Sequence, residues 1–349
     1  GPFVAGKSIT LSDIAERLDV SRVTVSKALR NHPDISDEMK AKVRKVAEQI
    51  GYVPNYIARN LSSKKSHTIG LLVPKIAHHF YSNCIEAIYE AAYDKDYDII
   101  MTVSQENQQH ERKHIQTLLS MKVDGILASI TENTADESGF EVIRKRSLPL
   151  VFFDRVFDNS SDNYVITNDR EASFQLIEYC IKSGYKKIAH FTGYKHLNVG
   201  LEREKGYRDA MQKYNVKIRK NWVVHGGINE KAGYKGLKKL ASLGELPEII
   251  YAFTFPVALG IYTAAKELGI LIPEQLEVVC FGVGKYNRYL SSAMTYVNQP
   301  ADEIGRQALE LLIQKIDNPN EKAEHIVIPS QLRVCQKCQP DPSKKQKPE

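Results

Sequence analysis

The 349-residue chain has no apolar run approaching the roughly 20 residues that a bilayer crossing needs. No charged stretch followed by an apolar segment opens it, and Gly1-Pro2 reads as an expression remnant. Cysteines number only five. Scattered and odd in count, they argue against a disulfide framework and for reduced thiols in the cytoplasm. Arrangements that mark catalysis or metal binding are equally sparse. Cys335-x-x-Cys338 has the spacing of half a zinc site, yet no second pair lies nearby in the sequence. His78-His79 falls in an expected strand-to-helix turn, where surface or cleft-lining residues are usual. Residues 1 to 8, GPFVAGKS, match the phosphate-loop pattern letter for letter. Such a loop must follow a buried strand and open a helix, so the match is read as chance. No Ser-His-Asp set or paired-carboxylate motif can be argued from spacing alone. No metal, no cofactor and no enzymatic chemistry are expected.

What is present starts at residue 10. In TLSDIAERLDVSRVTVSKALRN, Leu11, Ile14, Ala15 and Leu18 fall on one helical face. Thr10 followed by Asp13 is a capping-box start. Asp19 sits where a turn needs a left-handed residue, which Asp tolerates well. Ser21 then caps a second helix with Val25, Ala28 and Leu29 inward and Arg22, Val23, Ser26 and Lys27 outward. A third helix runs from Ser36 through Met39, Val43, Val46, Ala47 and Ile50, ending before Gly51. This is the pattern of a helix-turn-helix, with a basic and polar face for the DNA major groove; a three-helix interaction module is the alternative.

Charge supports the first reading. Residues 1 to 66 hold 12 Lys+Arg against 7 Asp+Glu, or +5 of the net +6, so the rest of the chain is nearly neutral. A basic head on a neutral body suits phosphate contact by the head alone. Beyond it, Asn55 is placed to cap a helix of about two turns that runs into a Ser/Lys linker. A helix that short is marginal in water, so it is expected to order only with DNA and a second copy.

From Ile69 the pattern becomes strand and helix in alternation. IGLLVP (69–74), YDIIMTV (97–103), GILASI (125–130) and LVFFD (150–154) are strands, with a first helix carrying Cys84, Ile85, Ile88 and Ala92. KIAHFTG (187–193), IIYAF (249–253) and EVVCFG (277–282) repeat the rhythm, with helices near 170–183, 202–214 and 256–268. The fold class is α/β, a parallel architecture repeated twice. The tail at 340–349 is polar and expected to be disordered.

In order and spacing, these motifs resemble the lac repressor (LacI/GalR) family of bacterial transcription regulators over nearly the whole chain. The match is carried by TLSDIAERLDVSRVTVSKALRN, GYVPNYIARNLSS, IGLLVP with HHFYSNCIEAI, KVDGILAS and FFDR. It continues through KKIAHFTG, LEREKGYRDAM, AKELGILIPEQLEVVCFG and QPADEIGRQALELL. The resemblance implies a helix-turn-helix headgroup (8–54), a hinge helix and linker (55–66), and a two-lobed core like periplasmic binding proteins (67–339). The first lobe would hold 67–165 and 294–325, the second 166–293 and 326–339. The expected partners are double-stranded operator DNA of pseudo-palindromic sequence, a second copy of the chain, and a small effector of the sugar class, with no membrane.

By the same resemblance, Arg22 and Val23 are base-reading positions and Lys27 follows one turn later. Arg22 would bind guanine and Val23 a thymine methyl. Lys27 stands where the family usually has Arg, which favours a point-charge role. Thr10, Ser12, Ser21, Thr24 and Ser26 fit phosphate contacts. In the hinge, Asn55, Ala58 and Leu61 fall at DNA-facing positions. Leu61 would act as a minor-groove wedge or pack within a dimer. The effector cleft would draw on Phe80, Tyr81, Asp154, Arg155 and Arg203. Two departures stand out: Gly282 replaces a usual Asp, and Thr254-Phe255 replaces a usual Asn-Asp pair. They imply a ligand less hydroxyl-rich than a plain hexose, or a weakened effector response. The rival readings are a secreted solute-binding protein and, more distantly, a sugar-processing enzyme.

Overall fold

The computed structural model describes residues 9–54, 65–291 and 293–335. The chain divides into two units, one ending at Ser66 and one beginning at His67. The hinge residues Asn55, Ala58 and Leu61, the GPFVAGKS segment, Cys338 and the tail lie outside the described residues.

In the first unit, α1 (Leu11–Leu18), α2 (Arg22–Leu29) and α3 (Asp37–Ile50) follow one another. Their ends are set by neighbouring residues. The Asp13 carboxylate accepts from the Thr10 backbone N–H at 2.6 Å and from its hydroxyl at 2.8 Å. Asp19 ends α1 at φ 52°. Ser21 Oγ accepts from Thr24 N at 3.0 Å, and Ser36 Oγ from Met39 N at 3.3 Å. Helices this short need packing to persist. Ile14, Ala15, Val25, Ala28, Val43 and Ala47 bury against one another and supply it, with Leu11, Leu18 and Leu29 at the margin.

The second unit contains two six-stranded sheets. The first is built from β1 (Thr68–Val73), β2 (Asp98–Val103), β3 (Gly125–Ala128), β4 (Leu150–Phe153), β5 (Asn163–Thr167) and β11 (His325–Ile328). Its order is β11-β5-β4-β3-β1-β2, parallel throughout. The second uses β6 (Ile188–Thr192), β7 (Val223–His225), β8 (Ile249–Ala252), β9 (Glu277–Phe281), β10 (Tyr296–Asn298) and β12 (Gln331–Arg333). Its order is β12-β10-β9-β8-β6-β7, with only β12 antiparallel.

Helices cover both faces of each sheet, which explains the continuous apolar runs of the central strands. On the first sheet, α4 (His79–Asp94) and α11 (Ala301–Asp317) pack on Ile69, Leu71 and Val73. The alternate residue Leu72 faces α5 (Gln108–Ser120) and α6 (Glu141–Lys145). On the second, α9 (Glu230–Ser242) and α10 (Phe255–Leu268) cover Ala189 and Phe191. Across that sheet, α7 (Asp169–Lys182) and α8 (Asn198–Lys213) meet Ile188. A Cβ on Gly206 of α8 would lie 2.2 Å from the Arg170 carbonyl, so glycine there permits the α7–α8 approach.

The chain crosses between lobes three times, each later than the sequence suggests. Thr167 still pairs in the first sheet, Tyr296–Asn298 pair in the second, and His325–Ile328 return to the first. The boundaries at 165/166, 293/294 and 325/326 therefore move to about 168, 299 and 329. These strands are short and half-exposed, without the apolar run that marks a buried one. No helix among the described residues is long and apolar enough to cross a membrane.

Candidate functional site

The outward face of α2 carries Arg22, Val23, Ser26 and Lys27. Val23 is 63 % exposed, which no core requirement explains. The Arg22 side chain has no hydrogen-bond or ion-pair partner among the described residues. The other positions are engaged. Lys27 Nζ meets Asp34 at 2.9 Å, and this ammonium holds the Asp34 carboxyl below its ordinary range. Arg30, at the C-cap of α2, donates through Nη2 to Ser26 Oγ at 3.0 Å and through Nε to the Ser26 carbonyl at 3.2 Å. The Ser21 and Thr24 hydroxyls bond each other at 2.9 Å, and that of Thr10 is given to Asp13. Ser12 is exposed. Arg30 and Asp34 escaped the sequence reading because their partners lie four and seven positions away.

In the second unit, the loops after β1, β4 and β8 converge with α8 on a small cavity. It is lined from the first lobe by His78, Phe80, Tyr81, Asp154 and Arg155, and from the second by Val199, Arg203, Ile228, Phe253, Thr254, Phe255 and Phe281. Gln299, at a crossover, completes it. This is the expected place for a ligand in such sheets, beyond the strands' carboxyl ends. All the anticipated cleft residues meet here except Gly282. That residue lies at φ 82° on a neighbouring surface with His79 and Lys285, and a Cβ there would come within 3.0 Å of Gln299 Oε1. Glycine answers this backbone's need, where any side chain would be strained.

Charges in the cleft are buried in pairs. Arg203 Nε donates to Asp169 Oδ1 at 2.7 Å, with the two side chains 3 % and 2 % exposed. Arg203 also donates to the Phe253 carbonyl, and its guanidinium lies 3.9 Å from the Phe281 ring centroid. Burial pushes the Asp169 carboxyl up to about 6 despite this cation. Arg155 Nη1 meets Glu106 at 2.7 Å and donates to the Ile130 carbonyl at 3.1 Å. Asp154, at φ 62°, accepts from Tyr81 Oη at 2.7 Å, and burial raises its carboxyl too. His78 Nδ1 accepts from Phe80 N at 3.3 Å, so Nε2 holds the proton. Burial first, then the Arg155 charge, lower this imidazole to about 3. Thr254 is spent on structure: it caps α10 and donates to the Ile228 carbonyl at 3.0 Å. Phe255 stacks on Tyr286 with centroids 6.5 Å apart.

The space left among these groups is about 30 Å³, room for a water or two at roughly 10–15 Å³ each. Bonds across the lobes hold it closed. Asn198 Nδ2 donates to the Asp154 carbonyl at 2.9 Å, and its Oδ1 accepts from Val156 N at 2.9 Å. His196 Nε2 meets the Glu132 carbonyl at 2.7 Å. Asp169, Glu106, His196 and Asn198 carry no local sequence signal, since each acts on a partner remote in sequence. Among the described residues, no group of three His, Cys, Asp or Glu is placed to hold a metal.

Two family models match. Residues 66–338 fit "Periplasmic binding proteins and sugar binding domain of LacI family", and residues 10–55 fit "Bacterial regulatory proteins, lacI family". The chain belongs to the LacI family. It is therefore a DNA-binding transcriptional regulator, with a headgroup that contacts DNA and a core of the family's ligand-binding type. Among its relatives, the NTD biosynthesis operon regulator NtdR of Bacillus subtilis (strain 168) is 30 % identical over 328 residues, covering 93 % of this chain and 98 % of that protein. The probable HTH-type transcriptional repressor ExuR of the same organism is 28 % identical over 330 residues, covering 93 % and 97 %. The fold matches the lac repressor dimer bound to operator and the anti-inducer ONPF, with a TM-score of 0.82 and 21 % identity over 93 % of this chain and 98 % of that one.

Proposed function

We propose that this LacI-family regulator represses transcription in the cytoplasm as a homodimer on a pseudo-palindromic operator. In this reading, a sugar derivative bound between its lobes sets its grip on DNA. Arg22 and Val23 read bases, and Lys27 supplies charge once it leaves Asp34. The observation that carries the effector reading is the closed cleft itself. Its rings and charged groups come from both lobes, and its 30 Å³ cannot take a sugar ring unless the lobes part. A ligand that enters must exchange bonds such as Asn198–Asp154 and His196–Glu132 for its own. The lobe arrangement is then thermodynamically linked to occupancy.

The chemistry narrows the ligand. Phe80, Tyr81, Phe253 and Phe281 offer apolar faces, while Arg155, Arg203 and Asp154 offer directional polar contacts. Thr254 and Phe255 are occupied in capping and stacking. Fewer groups are left to hold hydroxyls, which favours a derivative with fewer free hydroxyls than a plain hexose. The ligand is bound rather than transformed.

Calorimetric titration with glucose, galactose, glucose 6-phosphate and glucuronate tests this, paired with operator affinity measured with and without each compound. A derivative should bind more tightly than the plain hexoses, be recovered unchanged, and shift operator affinity by about 5–150-fold. Arg203→Lys should weaken it. Tight binding of a plain hexose would contradict the ligand assignment. Binding that leaves operator affinity unmoved would contradict the linkage.

A further inference from the structure

A second cavity, of about 610 Å³, lies beside the β5–α7 crossover and shares no lining residue with the cleft. Its volume is within the roughly 300–1,000 Å³ usual for small-molecule sites. Three rings, Phe157, Tyr164 and Phe174, line it together with apolar Val156 and Ile166. Both lobes contribute: Phe157 and Tyr164 belong to the first, Phe174 to α7 of the second.

The charge around these apolar walls is mainly negative. Asp158, Asp169, Glu171, Glu202 and Asp209 line the cavity, against Arg170 alone. Arg170 is already taken by Asp209 at 2.7 Å, and Glu202 reaches outside the lining to Lys205 at 2.7 Å. The N-terminus of α7 would by itself attract an anion, but its first turn carries Asp169 and Glu171. An anion placed there would face both carboxyl groups. A cation with an apolar body suits both halves of the lining, the body against the rings and the charge toward the carboxylates.

The wall between the two cavities is made of shared pairs. Asp169 lines the second cavity while its Oδ1 accepts from Arg203 of the cleft, and Asn198 lines it while donating to the Asp154 carbonyl. We propose that this second cavity binds a small organic amine, an aromatic ring bearing an ammonium group on a short side chain, at a site separate from the effector cleft.

Three probes of matched shape test it on the full chain by calorimetry: tyramine (cation), 4-ethylphenol (neutral) and 3-(4-hydroxyphenyl)propanoate (anion). Tyramine should bind at one site about tenfold more tightly than 4-ethylphenol, the factor that one charge-assisted hydrogen bond supplies. The anion should bind most weakly. The double variant Glu171→Gln, Glu202→Gln should erase the preference for tyramine. Val327 lines the cavity and is 51 % exposed, so Val327→Arg should block tyramine without lowering the unfolding midpoint. Equal affinity for the three probes, no saturable binding of millimolar tyramine, or tyramine binding undiminished by Val327→Arg would overturn the proposal.

Discussion

In the headgroup, Thr10 bonds Asp13, Ser21 bonds Thr24 and Ser36 bonds Met39, each across three positions. In the cleft, Tyr81 reaches Asp154 across 73 positions, and Arg203 reaches Asp169 and the Phe253 carbonyl across 34 and 50. The first region is specified by local chemistry and held by a small core. The second exists only once both sheets are built and the chain has crossed between them. The headgroup can be altered at one exposed side chain with its fold intact, whereas the cleft's polar groups support each other and the lobe contact.

The largest effect should come from the cleft. Asp169→Ala leaves the buried Arg203 charge without its partner, and arginine cannot neutralise itself. Denaturant unfolding followed through Trp222, the chain's one tryptophan and buried in the second lobe, should show a loss of about 3 kcal/mol. Arg203→Leu should cost less, because the stranded Asp169 can take up a proton. Equal losses would break the claim that an uncompensated charge dominates. In the headgroup, Arg22→Ala should weaken operator binding by about 1–3 kcal/mol, leaving the helical circular-dichroism unfolding transition unmoved. A shifted transition would mean that Arg22 supports structure.

Acid sharpens the contrast further. His78 is held at about 3 in the folded chain against an ordinary 6.5, so the unfolded chain binds more protons between those values. Its contribution is present above pH 6.5 and lost as pH falls toward 3. The raised carboxyl of Asp169 works in the opposite sense: its contribution is full below its ordinary 3.8 and lost as pH rises through about 6. His78→Asn keeps a capping acceptor and removes the imidazole. The variant should lose about 1–2 kcal/mol less than the parent between pH 7 and 5, read by urea unfolding at each pH. Identical losses would show that His78 is not held neutral. The smallest effect is expected at Asp34→Asn. Freeing Lys27 should raise operator affinity by no more than about fivefold, in a titration at low salt where exposed charges count most.

The same contrast explains what the sequence discloses. Caps at Thr10, Ser21 and Ser36 and the left-handed Asp19 are local signals, as are the apolar runs of β1, β4 and β8, so the three helices and central strands were legible. The strands 163–167, 296–298 and 325–328 carry no comparable run, so the local pattern places the crossovers too early. Of the cleft, Phe80, Tyr81, Asp154, Arg155 and Arg203 are legible through the family resemblance, not through spacing. Asp169 and Asn198 carry no local mark, and the departure at Gly282 reads differently once its φ of 82° and its place outside the cleft lining are known.

The most direct test is a binding titration on operator DNA selected from a random pool, run against a scrambled duplex at several salt concentrations. The selected site should bind about 10³-fold or more tightly than the scrambled one. Affinity should fall linearly with salt on logarithmic axes, as phosphate contacts by a basic head require. Equal affinity for the two duplexes across the salt series would contradict the assignment of sequence reading to this headgroup.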